Sequence, residues 1–100
     1  MIELRDTEVT LLQFESLADQ PGLAHGFTTR PQNYAPHRGR GSEQAVRWRR
    51  KACEMLGLPF ERLTSPQQVH GAEVLRVEEC DIGCGHDGRG SALRFVDGLV

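Results

Sequence analysis

No stretch of this sequence approaches the roughly 18 consecutive apolar residues that cross a bilayer. Its first residues, Met1-Ile2-Glu3-Leu4-Arg5-Asp6, have neither the basic n-region nor the apolar h-region of a secretory signal. The expectation is a cytoplasmic protein with no membrane partner. A strong excess of either charge is also lacking: the formal charge is -2, which supplies no global attraction toward nucleic acid. Cysteine is scarce and odd in number, three in all, so a closed disulfide framework would leave one thiol over and free thiols are the simpler account. Repeats and low-complexity tracts are missing as well. At 100 residues the chain makes one domain at most, and a domain of that size buries only about two thirds of its unfolded surface.

The elements that are present follow from local pattern. Glu8 to Phe14 is rich in Val9, Thr10, Leu11, Leu12 and Phe14, which favours a strand. A Pro21-Gly22 turn signal precedes a second strand from Leu23 to Thr29, with Phe27 expected to point inward and Arg30 delivered to the strand end. Pro31 to Gly41, with its prolines and glycines, reads as a loop. Ser42 can cap a helix in which Ala45, Trp48, Ala52, Cys53 and Leu56 recur on one face. Gly57 and Pro59 then stop it, so the helix is expected from Glu43 to Leu56. The spacing puts Trp48, Ala52 and Leu56 against the sheet and Arg47 and Arg50 outward. Gln67 to Val77 reads as extended chain interrupted at Gly71, Glu78 to Ser91 as a long loop, and Leu93 to Val100 as a further strand.

Three groups of residues suggest chemistry. Arg47, Arg49, Arg50 and Lys51 surround Trp48, as phosphate neutralisation with stacking on nucleic acid requires. The plainer reading, favoured by the negative net charge, is a solvated helix face with Trp48 as a core anchor. Cys80, Cys84 and His86 form C-x3-C-x-H and with His70 make a nominal zinc set, but the spacing is unusual for zinc and an irregular loop with incidental thiols is the preferred account. His70, in Gln67-Gln68-Val69-His70-Gly71, has a glycine beside its ring and two amides able to fix its tautomer, as a metal-bound histidine requires. On local sequence alone, metal ligand and structural histidine stand level.

His25-Gly26-Phe27-Thr28-Thr29-Arg30, Arg49 in the helix that ends Leu56-Gly57-Leu58, Gln68-Val69-His70-Gly71 and Val96-Asp97-Gly98-Leu99-Val100 occur in an order that resembles the bacterial YfiH-like family. That family is variously called multicopper polyphenol oxidase (laccase), purine nucleoside phosphorylase and peptidoglycan editing factor. Its elements are H-G-F-[ST]-T-R, an N-R pair before L-G-L, Q-V-H-G and A-D-A-L-V. Its members are longer, so residues 1–100 are expected to be the amino-terminal portion of a single YfiH-like domain. Two departures stand out: Trp48 replaces the asparagine of the N-R pair, and Asn33 to Gly41 lacks the family's L-N element.

The resemblance implies an α+β fold with a mixed, largely antiparallel sheet and packed helices, incomplete in this chain. It implies a zinc-dependent purine nucleoside phosphorylase with adenosine deaminase activity, taking adenosine, inosine or methylthioadenosine with phosphate. It assigns Arg30, Arg49 and Gln68 to substrate binding and His70 to the metal, zinc or alternatively copper. The family's other two metal ligands lie in later A-D-C and H-A-G-W-R-G elements without counterparts here, and Cys80, Cys84 and His86 fall in its variable loop. The chain alone is therefore expected to bind zinc weakly, to be inactive, and either to fold poorly or to self-associate through the exposed terminal strand around Phe95, Leu99 and Val100. The alternatives are a copper-dependent polyphenol oxidase, disfavoured because four-electron reduction of oxygen ordinarily needs several coppers, and a noncatalytic module that binds RNA or protein through the basic helix.

Overall fold

The computed structural model describes residues 1–35, 42–87 and 93–100. The ends of the two loops read from Pro31 to Gly41 and from Glu78 to Ser91, and the capping side chain of Ser42, lie outside the described residues. The chain divides into two units, Met1–Leu58 and Pro59–Val100.

The first unit is built on an antiparallel sheet of β1 (Ile2–Arg5), β2 (Thr10–Gln13) and β3 (Phe27–Thr28), in that order. β1 is an element the sequence reading omitted, although Ile2 and Leu4 alternate with Glu3 and Arg5 as a half-buried strand should. Leu4 faces Leu11 across the β1–β2 ladder. The connecting turn is closed by Asp6, whose backbone N–H donates to the Val9 carbonyl at 2.9 Å and whose carboxylate accepts from the Thr7 hydroxyl and the Glu8 amide. Val9 and Leu11 point to one face and are fully buried, each burial contributing about 1.5–3 kcal/mol.

Phe27 does not point inward as expected. It pairs with Leu12 rather than Leu11, which puts it on the outer face, 52% exposed and edge-on to Phe14. The expected second strand shrinks to Phe27–Thr28, while a single helical turn, α1 (Glu15–Ala18), follows β2. Leu11 and Leu56 both come within 3.6 Å of where a Cβ on Gly26 would stand.

The expected helix is α2 (Ser42–Met55), within a residue of its predicted ends. Gly57 adopts φ 70° and closes it: the Leu58 amide donates to Cys53 O at 2.9 Å and the Gly57 amide to Glu54 O at 3.0 Å. This is the double bond pattern by which a left-handed residue ends a helix. Ala45 and Cys53 are buried, and Trp48, Ala52 and Leu56 are half-buried. Arg47 and Arg50 are exposed, as the spacing predicts.

The second unit holds two short parallel ladders, β4 (Pro66–Gln67) with β6 (Leu93–Arg94) and β5 (Val74–Leu75) with β7 (Gly98–Leu99). The single strand expected from Leu93 to Val100 is thus two strands with different partners. The break falls at Phe95, which takes φ 62° and cannot continue an extended ladder. A 3-10 turn, Glu79–Asp81, opens the stretch read as a loop and is capped reciprocally by Glu78 and Asp81. Ser65 ties that stretch to β4, its amide donating to Cys84 O and its hydroxyl to Gly85 O. The fold class is α+β, antiparallel in the first unit and parallel in the second.

Candidate functional site

The Q-V-H-G loop runs from the end of β4 toward β5 and is exposed from Gln67 to Leu75. Its anchor comes from the strand paired with β5. Val74 is in register with Gly98, so the residue before β7, Asp97, stands at the foot of the loop. The Asp97 amide donates to Glu73 O at 3.0 Å. Its carboxylate accepts three successive backbone N–H groups: Val69 and His70 on Oδ1, both at 2.9 Å, and Gly71 on Oδ2 at 2.6 Å. Consecutive amides converging on one anion form a backbone nest. Lost hydration pushes the Asp97 carboxyl up, but the amides of Gly71, Val69 and His70, together with the charge of His70, outweigh it and hold the group below its ordinary value.

His70 sits within this clamp at φ 60°, a region sparsely used by residues with a Cβ. The amides of Gln67 and Gln68, expected to fix the ring's tautomer, make no hydrogen bond to it among the described residues. The structure holds the backbone of His70 instead, and leaves an exposed imidazole able to accept a proton, donate one or coordinate a metal. Gln68 is likewise exposed. A zinc site needs more. No three His, Cys, Asp or Glu side chains come together as a ligand set among the described residues, so these residues do not by themselves fit a zinc ion. Cys80 is exposed, and His86 has Nδ1 2.7 Å from Gly83 O and its ring edge-on to Phe60.

The two arginines lie in the first unit. Arg30, at the end of the H-G-F-T-T-R segment, is exposed. Arg49 stands on the inner stripe of α2 between Ala45 and Cys53, half-buried, with Nε donating to Tyr34 O at 2.6 Å. Burial pulls its pKa below that of a free guanidinium, an effect Cys53 opposes. The basic face of α2 is partly neutralised within the unit: Arg47 pairs with Glu8 at 2.5 Å and Lys51 with Asp6 at 3.7 Å. Trp48 tilts against Tyr34, ring centres 6.3 Å apart.

Two residues were missed from sequence. His25 is structural: its Nε2 accepts the Phe14 amide at 2.9 Å, its carbonyl accepts from Gln13, and its ring stacks on Phe14. Asp97 stood out only within a strand-like family element and not as a site residue, although an Asp-Gly dipeptide inside an apolar run is a turn signal.

No family model matches the chain. A curated relative, the purine nucleoside phosphorylase YlmD of Geobacillus stearothermophilus, is 37% identical over 67 residues, which is 67% of this chain and 24% of the relative. The chain thus spans about a quarter of the length of the curated relative it matches. The crystal structure of YlmD from the same organism superposes with a TM-score of 0.57 at 33% identity, covering 67% of this chain and 26% of that one. The structure of YfiH from Bacillus licheniformis gives 0.61 at 19% identity over 91% of this chain and 33% of its own, a likeness of fold. No helix among the described residues is long and apolar enough to cross a membrane. These likenesses in sequence support a relation to the YfiH-like family over a part of its members' length.

Proposed function

We propose that this chain is part of a purine nucleoside phosphorylase. The observation that carries the reading is its 37% identity to an enzyme of that name; an exposed His70 held by its backbone is what the geometry adds. In the reaction, phosphate oxygen forms a bond to the anomeric carbon of the ribose as the bond to the purine nitrogen breaks. The electron pair leaves with the base, which takes up a proton, and ribose 1-phosphate is the other product. The protein's task is to hold the phosphate against the sugar and offset its charge. Arg30 suits this with an exposed guanidinium, whereas Arg49 has its Nε engaged by Tyr34 O. Gln68, beside the clamped loop, is the candidate for a polar contact to the nucleoside.

The finer reading takes adenosine, inosine and methylthioadenosine as substrates, with hydrolytic deamination of adenosine as a second activity. Zinc belongs to it as cofactor, with His70 as one ligand of a set that the described residues do not complete. The test is release of hypoxanthine from inosine by the full-length protein, with and without phosphate. Phosphate-dependent release that is lost in His70→Ala, and a raised phosphate KM in Arg30→Ala, are expected. Failure to release base in the presence of phosphate rejects the reading. Conversion of adenosine to inosine, and its loss on chelation, tests the deaminase and metal separately.

A further inference from the structure

We propose that Asp97 is the positioning residue for His70: by clamping the amides of Val69, His70 and Gly71, its carboxylate holds the His70 backbone left-handed and so fixes where the imidazole stands. The inference rests on the reading of His70 as a residue of the nucleoside site. A left-handed conformation is sterically disfavoured for a side chain with a Cβ and persists only where its surroundings enforce it. Here the enforcement is specific. Both oxygens of Asp97 are used, on three consecutive amides, at 2.6 to 2.9 Å. Asp97 is itself fixed by its amide on Glu73 O and by the parallel pairing of β5 with β7, so the clamp has a rigid base.

The loop has little else to hold it. Gln67, Gln68, Val69, His70 and Gly71 are all exposed, and apolar packing cannot supply the constraint. Gly71 leaves room for the clamp, because a Cβ there would stand 3.1 Å from Asp97 Oδ2. A methyl group at this position obliges the carboxylate to shift by a few tenths of an ångström, so Gly71→Ala perturbs the same clamp independently.

The experiment uses the full-length protein and the variants Asp97→Asn, Asp97→Ala and Gly71→Ala. Three readouts are compared: amide exchange at Val69, His70 and Gly71, the ring nitrogen signals of His70, and kcat and KM for inosine phosphorolysis. Asp97→Asn keeps the side-chain size but removes the charge and replaces one accepting oxygen with an NH2 group that faces a backbone N–H. It should accelerate exchange at those three amides, average the His70 ring signals, and lower kcat on the order of 10- to 100-fold, as loss of a group that orients an active side chain does. KM should change by less than about threefold, because ground-state binding is not what is lost. Gly71→Ala should move every readout the same way by less, and it decides the matter if Asp97→Ala fails to fold. Unchanged exchange and ring signals in Asp97→Asn overturn the proposal, as does a folded variant with loosened amides and wild-type kcat. If the wild-type protein shows no phosphorolysis, the reading of function fails by itself, and the ring signals alone then decide whether Asp97 positions His70.

Discussion

The two units of this chain are held together by different forces. In Met1–Leu58, Val9, Leu11, Ala45 and Cys53 are buried, and order follows from apolar side chains withdrawn from water. In Pro59–Val100 the buried apolar side chain among the described residues is Phe60, and polar anchors carry more of the order: Asp97 on the Q-V-H-G amides, Thr64 on the Gly83 amide, Ser65 on Gly85 O. The difference shows where precision is wanted. Burial is nondirectional and makes a unit stable, whereas a carboxylate on three amides holds one loop in one conformation while its side chains stay exposed.

The sharpest way to break this comparison is to remove apolar volume on each side. Leu11→Ala should lower stability by about 2–5 kcal/mol, while Val74→Ala, at a side chain 62% exposed, should change it by no more than about 0.5 kcal/mol. Denaturant titration measures both, and equal losses would contradict the contrast. Asp97→Ala should do the converse, raising amide exchange at Val69, His70 and Gly71 while leaving the β1–β2 ladder protected. A loss of protection in β1 and β2 would show that the clamp is global.

Gly57→Ala should destabilise by about 1–2 kcal/mol, the strain of a Cβ in the left-handed region. Nothing lies within 4 Å of the added carbon, so no clash contributes. The smallest effect is expected from acid at the β1–β2 turn. The Thr7 hydroxyl, together with the Glu8 amide and Lys51, holds the Asp6 carboxyl below its ordinary value of 3.8 against the opposing effect of lost hydration. A carboxyl whose pKa is depressed by folding contributes stability above its unfolded value and loses it as pH falls through the folded one. Exchange at the Glu8 amide should therefore quicken only below pH 3.8, without unfolding the sheet.

Much of this was legible in advance. The α2 boundaries, the Gly57 stop and the outward Arg47 and Arg50 follow from helical spacing and backbone freedom, which act within a few residues. The candidate site was legible only as residue types. His70 and Arg30 stood out by their surroundings, but nothing local marks a histidine for φ 60° or a phenylalanine for φ 62°, because glycine and asparagine are the residues that ordinarily signal that region.

What the sequence determined by itself is therefore the short-range part: where the helix runs, where the chain turns, and which family's elements it carries in order. Tertiary structure alone decided the rest. Phe27 turned outward because its register with Leu12, not its hydrophobicity, chose the face. Arg49 is held half-buried by the Tyr34 carbonyl that its Nε reaches, 15 residues away in sequence. Asp97 reached Val69, His70 and Gly71 because two distant strands paired in parallel. Each outcome depends on contacts between residues far apart in sequence, and no local propensity encodes a partner that the chain meets only once it has folded.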